Sequence, residues 1–230
     1  MREGMEGSDT MQGMQTSPFE RTYRGLLRAL YEQAIVPGQR LAAPDLMKQF
    51  DVGRGTIREV LHRLASSGVV TIVPNRGAQV RLLTRTDVDQ LLDIVELLLG
   101  LAARDAAHAA RAAHGAQTLQ EFHNGLVEAS GQNDFTEFVH AREDYYRCLV
   151  RMSGNLELQR LFPGAQVHIM RVQLRRFQNA ADATAISDFA MLTEAILSGD
   201  PVRAEAAGRE HVGFTRARLA HLPDSAFGKR

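Results

Sequence analysis

Between residues 37 and 81 the apolar positions change period more than once. Leu46, Met47 and Phe50 follow Pro44 at helical spacing, and Pro44 stands where a first turn needs no amide donor, so a helix is predicted over about 43–50. Asp51-Val52-Gly53 reads as a tight corner. Ile57, Val60, Leu61 and Leu64 then recur at i, i+3, i+4 and i+7, the stripe of a second helix starting near Arg54. Gly55, Arg58, Glu59 and His62 are left on its outer face. After Ser66-Ser67-Gly68 the period shortens: 69–73 and 78–82 read as two strands joined by a Pro74-Asn75-Arg76-Gly77 turn. Upstream, Tyr23, Leu26, Leu27, Leu30 and Tyr31 predict an earlier helix, closed by Pro37-Gly38.

From Thr84 onward no strand pattern is evident. Ala-, Leu- and Arg-rich segments predict helices at about 86–113, 116–131, 133–152, 155–179, 184–198 and 201–220, with breaks at Gly115, Gly154 and Gly199-Asp200-Pro201. Pro163 should kink or interrupt the fourth. The predicted fold class is mainly α: an N-terminal winged helix-turn-helix domain over 21–83, followed by an all-α six-helix bundle over 84–222. Residues 1–20 read as a flexible arm, its first eighteen being Gly- and Met-rich and aperiodic, and 223–230 as a tail.

The second helix of the pair carries Arg54 and Arg58 one turn apart at its exposed start. A guanidinium can give two hydrogen bonds to the major-groove edge of guanine, while helix-terminal amides favour phosphate. The hairpin is then a wing, with Arg76 and Gly77 at its tip placed for a minor-groove or phosphate contact. A bare helix pair is also an ordinary corner with solvated arginines; the attached wing points to double-stranded DNA. Charge supports this. The 230 residues carry 27 Lys/Arg and 27 Asp/Glu, but residues 21–83 hold ten against four, a net of +6, and residues 84–230 sixteen against nineteen, a net of −3. A hydrophobic content of 44% excludes a disordered chain. No apolar run has the length of a membrane span and no signal-peptide core stands at the N-terminus, so a cytoplasmic protein without membrane partners is expected. Cys148, the single cysteine, can form no internal disulfide and reads as a small packed residue.

The strings PGQRL, VGRGTIREVLHRL and SSGVVTIVPNRGAQV resemble the winged-helix domain of the GntR family of bacterial transcription regulators. The resemblance implies DNA contacts from Arg54, Thr56, Arg58, Arg76 and Gly77. Gly53 and Gly55 stand where the family usually has hydroxyl residues that touch the DNA backbone. Tyr145-Tyr146-Arg147-Cys148-Leu149 with Ser153-Gly154-Asn155, and later Ile196-Leu197-Ser198-Gly199-Asp200, resemble the helical ligand-sensing domain called FCD. Many members hold a metal there with one aspartate and three histidines. In this chain the aspartate position falls on Arg142 and two histidine positions on Tyr146 and Phe189, leaving His211 as the matching ligand. Too few donors remain for a metal, and neither metal nor other cofactor is expected.

Arg142 instead can pair directly with the carboxylate of a small organic-acid effector, Tyr146 and His211 adding hydrogen bonds while Phe189, Val95 and Leu99 form an apolar wall. Alternatively, Arg142 pairs with Glu137 or Glu143, and Tyr146 and Phe189 simply fill a core. The resemblance implies a homodimer on a near-palindromic operator, with an effector that shifts the arrangement of its two DNA readers and, most commonly in the family, relieves repression. Two other readings stand beside it: a constitutive DNA-binding protein whose bundle only dimerises, and an enzyme acting on a small acid through Arg142, Tyr146 and His211.

Overall fold

The computed structural model of this chain describes residues 17–74, 77–132, 134–162, 164–177 and 183–229. Helix α1 (Pro18–Tyr31) starts inside the stretch read as an arm: Ser17 Oγ accepts from the Glu20 amide at 3.1 Å and Pro18 occupies the first turn. The rest of that arm lies outside the described residues. Leu26 and Leu30 on α1 are buried in the same core as Ile57, Val60, Leu61 and Leu64.

Helices α2 (Ala43–Phe50) and α3 (Arg54–Ser66) flank the predicted corner, where Asp51 takes a left-handed φ of 51° and gives its amide to the Met47 carbonyl. Ile57, Val60, Leu61 and Leu64 are all buried, as their spacing requires. Strands β2 (Val70–Val73) and β3 (Gly77–Val80) form the wing, and a strand too short to have a period, β1 (Arg40–Leu41), pairs with β3 to give the antiparallel order β1-β3-β2. Gly77 has a φ of 87°, and a Cβ there would lie 2.6 Å from the Leu41 carbonyl oxygen. The glycine that suggested close approach to DNA is required by the approach of β1.

The second unit comprises α4 (Arg85–Ala110), α5 (Ala113–Gly131), α6 (Phe135–Met152), α7 (Leu156–Leu161), α8 (Gly164–Leu174), α9 (Ala183–Leu197) and α10 (Pro201–Ala220), with 3₁₀ turns at Arg175–Phe177 and Asp224–Ala226. The helix predicted over 155–179 is thus two helices. Phe162 is extended, the conformation favoured before a proline; Pro163 itself lies outside the described residues. A Thr84–Asp87 capping box starts α4. That helix lies along α10 so closely that a Cβ on Gly208 would come 2.9 Å from the Leu99 carbonyl oxygen. Val95 and Leu99 are buried here, in the closed core.

The tail read over 223–230 is docked against the linker between the units. Phe227 is buried beneath Arg85, whose guanidinium carbon lies 4.2 Å from the ring centroid, and the Gly228 amide donates to the Leu83 carbonyl at 2.9 Å. Gln173 on α8 completes the attachment. Its side-chain oxygen accepts from the Leu83 amide at 2.7 Å, and its nitrogen donates to the carbonyls of Leu83 and Ala226 at 2.8 and 3.1 Å.

Candidate functional site

Two sites follow from this framework. On the winged unit, the start of α3 and one side of the wing enclose an open groove of about 660 Å³, bordered by Arg40, Arg54, Arg58, His62, Pro74 and Gly77. Arg54 and Arg58 are exposed and Thr56 is partly so. Gly53 caps α3 without a side-chain hydrogen bond, which leaves the first-turn amides open to an anion. Arg40 belongs to the same border and was not assigned a role from the sequence. Its only signal was its place in the PGQRL string, because nothing in a two-residue strand reveals which face it joins. Arg76 lies outside the described residues.

In the bundle, the residues singled out around Arg142 do assemble. The Tyr146 hydroxyl and His211 Nε2 are 2.7 Å apart, the Phe189 and His211 ring centroids 4.6 Å, and the Arg142 guanidinium carbon lies 5.4 Å from the Phe189 centroid and 5.8 Å from that of Phe138. His211 Nδ1 faces the Asp188 carbonyl oxygen at 3.3 Å, so that nitrogen carries the proton and Nε2 accepts from Tyr146. Burial, reinforced by the nearby Arg142 charge, pushes the imidazole down to about 3, so it is neutral at ordinary pH. Burial likewise raises Tyr146 and lowers Arg142, and outweighs the charge interaction and the side-chain hydrogen bond between the two, which act the other way on each.

The charge balance around Arg142 is the informative part. Asp188, buried at 5% exposure, pairs with Arg218 at 2.5 Å. Glu143 pairs with Arg147 at 2.6 Å and also hydrogen-bonds Tyr31. Neither Glu137 nor Glu143 forms an ion pair with Arg142 among the described residues, and the buried Arg142 Nε has no hydrogen-bond partner. No group of three His, Cys, Asp or Glu side chains at metal-holding distance occurs among those residues either.

Beside Arg142 lies a cavity of about 380 Å³, within the range of small-molecule sites. Arg142 and Tyr146 line it, with the Glu143–Arg147 pair at its border, Arg151 and Arg171 adding positive charge, and Val139, Val150, Phe162 and Val167 forming apolar wall. Phe189 and His211 stand behind Tyr146 and do not reach it, because they close the core between α9 and α10. Val95 and Leu99 do not line it either: their face of α4 is committed to the α10 contact. The apolar wall comes instead from α6, α8 and the α7–α8 corner. The sequence also offered no sign that Tyr31 of α1 and His168 of α8 would border this space, since that depends on how α1 docks on the bundle. Cys148 is buried against Met152, its thiol pushed up by burial, which fits a packed side chain.

No described helix is long and apolar enough to cross a membrane. Residues 18–80 match the family model described as bacterial regulatory proteins, gntR family, and residues 90–214 match the FCD domain model. The chain is 25% identical over 177 residues to a probable D-xylose utilization operon transcriptional repressor of Paenarthrobacter nicotinovorans, covering 77% of each chain. It is 25% identical over 130 residues to an HTH-type transcriptional regulator from the TAR-I ttuE-ttuC' intergenic region of Agrobacterium vitis, covering 56% of this chain and 76% of that one. Its fold is similar to that of E. coli McbR/YncC, with a TM-score of 0.77 at 20% identity over 89% of this chain and 97% of the other. The chain belongs to the gntR family of bacterial regulatory proteins, a DNA-binding transcription regulator with an FCD domain behind its winged helix.

Proposed function

We propose that this regulator binds a near-palindromic operator in the cytoplasm as a homodimer and releases it when a small carboxylate occupies the cavity beside Arg142. The operator would be read by Arg54, Thr56 and Arg58 from the start of α3, with Arg40, Arg76 and Gly77 at the groove and wing. The effector reading rests on one observation: a guanidinium 5.8 and 5.4 Å from the ring centroids of Phe138 and Phe189 borders a cavity with its Nε buried and unbonded, while the neighbouring acids pair with other arginines. A carboxylate supplies the missing acceptor and charge. Tyr146 stands beside it, held in orientation by His211, while Phe189 backs the guanidinium. Exposed apolar side chains on α4 (Ile94, Leu97) and on α7 (Leu156, Leu161) support a second copy packing against the bundle. The repressor name of the Paenarthrobacter relative supports the sign.

The test has two arms. Selection of bound fragments from random duplex DNA should enrich a near-palindrome with the wild type and lose it with Arg58→Ala. Calorimetry with benzoate, hexanoate and pyruvate should show at least one acid bound by the wild type and not by Arg142→Ala. Equal binding to both proteins would overturn the role of Arg142.

A further inference from the structure

The same cavity borders a second unsatisfied group, and this one lies at the contact between the two units. His168 on α8 is 6% exposed, its Nε2 is buried and has no hydrogen-bond partner, and it lines the space that Arg142 lines. Its ring lies against Tyr31 of α1, centroids 3.5 Å apart, and the ring also hydrogen-bonds the Leu30 backbone. Because Nε2 is the unpartnered nitrogen, the bond to the Leu30 carbonyl is made by Nδ1–H. Desolvation pushes the imidazole down to about 4, so Nε2 presents a lone pair and no proton. An enclosed acceptor of this kind is complemented by a donor.

We propose that the effector site extends across the boundary between the two units: the acid sits on Arg142 while a hydroxyl of the same molecule donates to His168 Nε2 beside Tyr31. This rests on the carboxylate reading above and narrows it to hydroxylated acids with an apolar body, the body lying along Val139, Val150, Phe162 and Val167. It also gives the ligand a direct route to the DNA reader. Tyr31 and Leu30 end α1, and α1 is packed on α3, whose first two turns carry Arg54 and Arg58. A molecule bonded to His168 acts where α8 grips α1, so occupancy biases the pose of the winged unit without a relay through the bundle core. Selectivity follows from the same chemistry, because an acid lacking the hydroxyl leaves the Nε2 lone pair unmatched inside the site.

The experiment compares matched acids on the full-length protein by calorimetry: benzoate with its 3- and 4-hydroxy derivatives, phenylacetate with 4-hydroxyphenylacetate, and hexanoate with 6-hydroxyhexanoate. In at least one set, a hydroxylated member should bind the wild type roughly tenfold or more tightly than its parent. His168→Phe, which keeps a ring against Tyr31, should bind both members alike, and Arg142→Met should bind neither. If the wild type binds parent and hydroxylated acids equally while Arg142→Met abolishes binding, the role of His168 is overturned and the carboxylate reading stands. If no acid binds the wild type, both are overturned. The wild-type comparison needs no variant, and for His168→Phe a retained far-UV spectrum and operator affinity show that the fold is intact. The imidazole ¹⁵N resonance of His168 in the wild type should move on adding the preferred hydroxylated acid and stay in place with its parent.

Discussion

At the scale of single residues, the two glycine and arginine positions at the DNA face act by different physics. Arg58 is exposed and borders the groove, so Arg58→Ala should weaken operator binding by about 1–3 kcal/mol, roughly tenfold to a hundredfold, with little change in melting temperature. Gly77 has a left-handed φ and no room for a Cβ, so Gly77→Ala should destabilise the winged unit by about 2 kcal/mol and weaken DNA binding together with that loss of stability. Urea melts and fluorescence anisotropy on the selected operator separate the two; a loss of stability in Arg58→Ala equal to that of Gly77→Ala would contradict the assignment. Acid should expose the buried imidazoles. His211 and His168 are held near 3 and 4, below the unperturbed value of 6.5. The native state therefore binds fewer protons than the unfolded chain, and stability falls as pH drops below about 6.5. Each histidine should cost about 2 kcal/mol between pH 7 and 5. His211→Gln should flatten the pH dependence of urea unfolding over that interval; a slope equal to the wild type's would rule out this origin. His211 was singled out from the sequence because it matched a family position. His168 was one of several unassigned histidines, since burial and the loss of a partner come from the docking of α8 on α1.

At the scale of elements, most of the chain's order was readable because several helices carry their own punctuation: Pro44 and Pro201 in first turns and Asp51 at the corner; Pro18 does the same for α1, within the stretch read as an arm. The pieces that were missed are the short ones. Strand β1 is two residues long, and the break between α7 and α8 interrupts a run whose composition stays helical on both sides. The C-terminal residues read as a tail because a 3₁₀ turn and one aromatic have no periodicity; Phe227 is held by a surface that other elements create. The attachment made by Gln173 is the element-level feature with the clearest consequence. Gln173→Ala removes the acceptor for the Leu83 amide inside a buried linker, and should destabilise the protein by about 1–3 kcal/mol. Hydrogen exchange at Leu83 should accelerate at the same time. Unchanged exchange there would show that the linker is held by other contacts.

At the scale of the whole molecule, the proposed switch requires reciprocity. If an acid weakens operator binding by some factor, the operator must weaken binding of that acid by the same factor, usually between about five- and 150-fold for a coupling of 1–3 kcal/mol. Titrating the acid into the dimer with and without saturating operator measures one factor, and anisotropy with and without acid measures the other. A ligand that binds without any difference between the two titrations would overturn the proposed switch, because its coupling to the operator would be zero. Class, element order, the inward stripe of α3 and the cationic face at its start were all readable from spacing, because local periodicity and the charge of a short segment do not depend on distant residues. The meeting of Arg142, Tyr146, Phe189 and His211 was also anticipated, through positions shared with a known family. Which of them face open space was not, because a cavity is bounded by helices far apart in the chain. The packing of α4 on α10 keeps Val95 and Leu99 off the cavity, the core between α9 and α10 encloses Phe189 and His211, and the docking of α1 on α8 puts Tyr31 and His168 on its border.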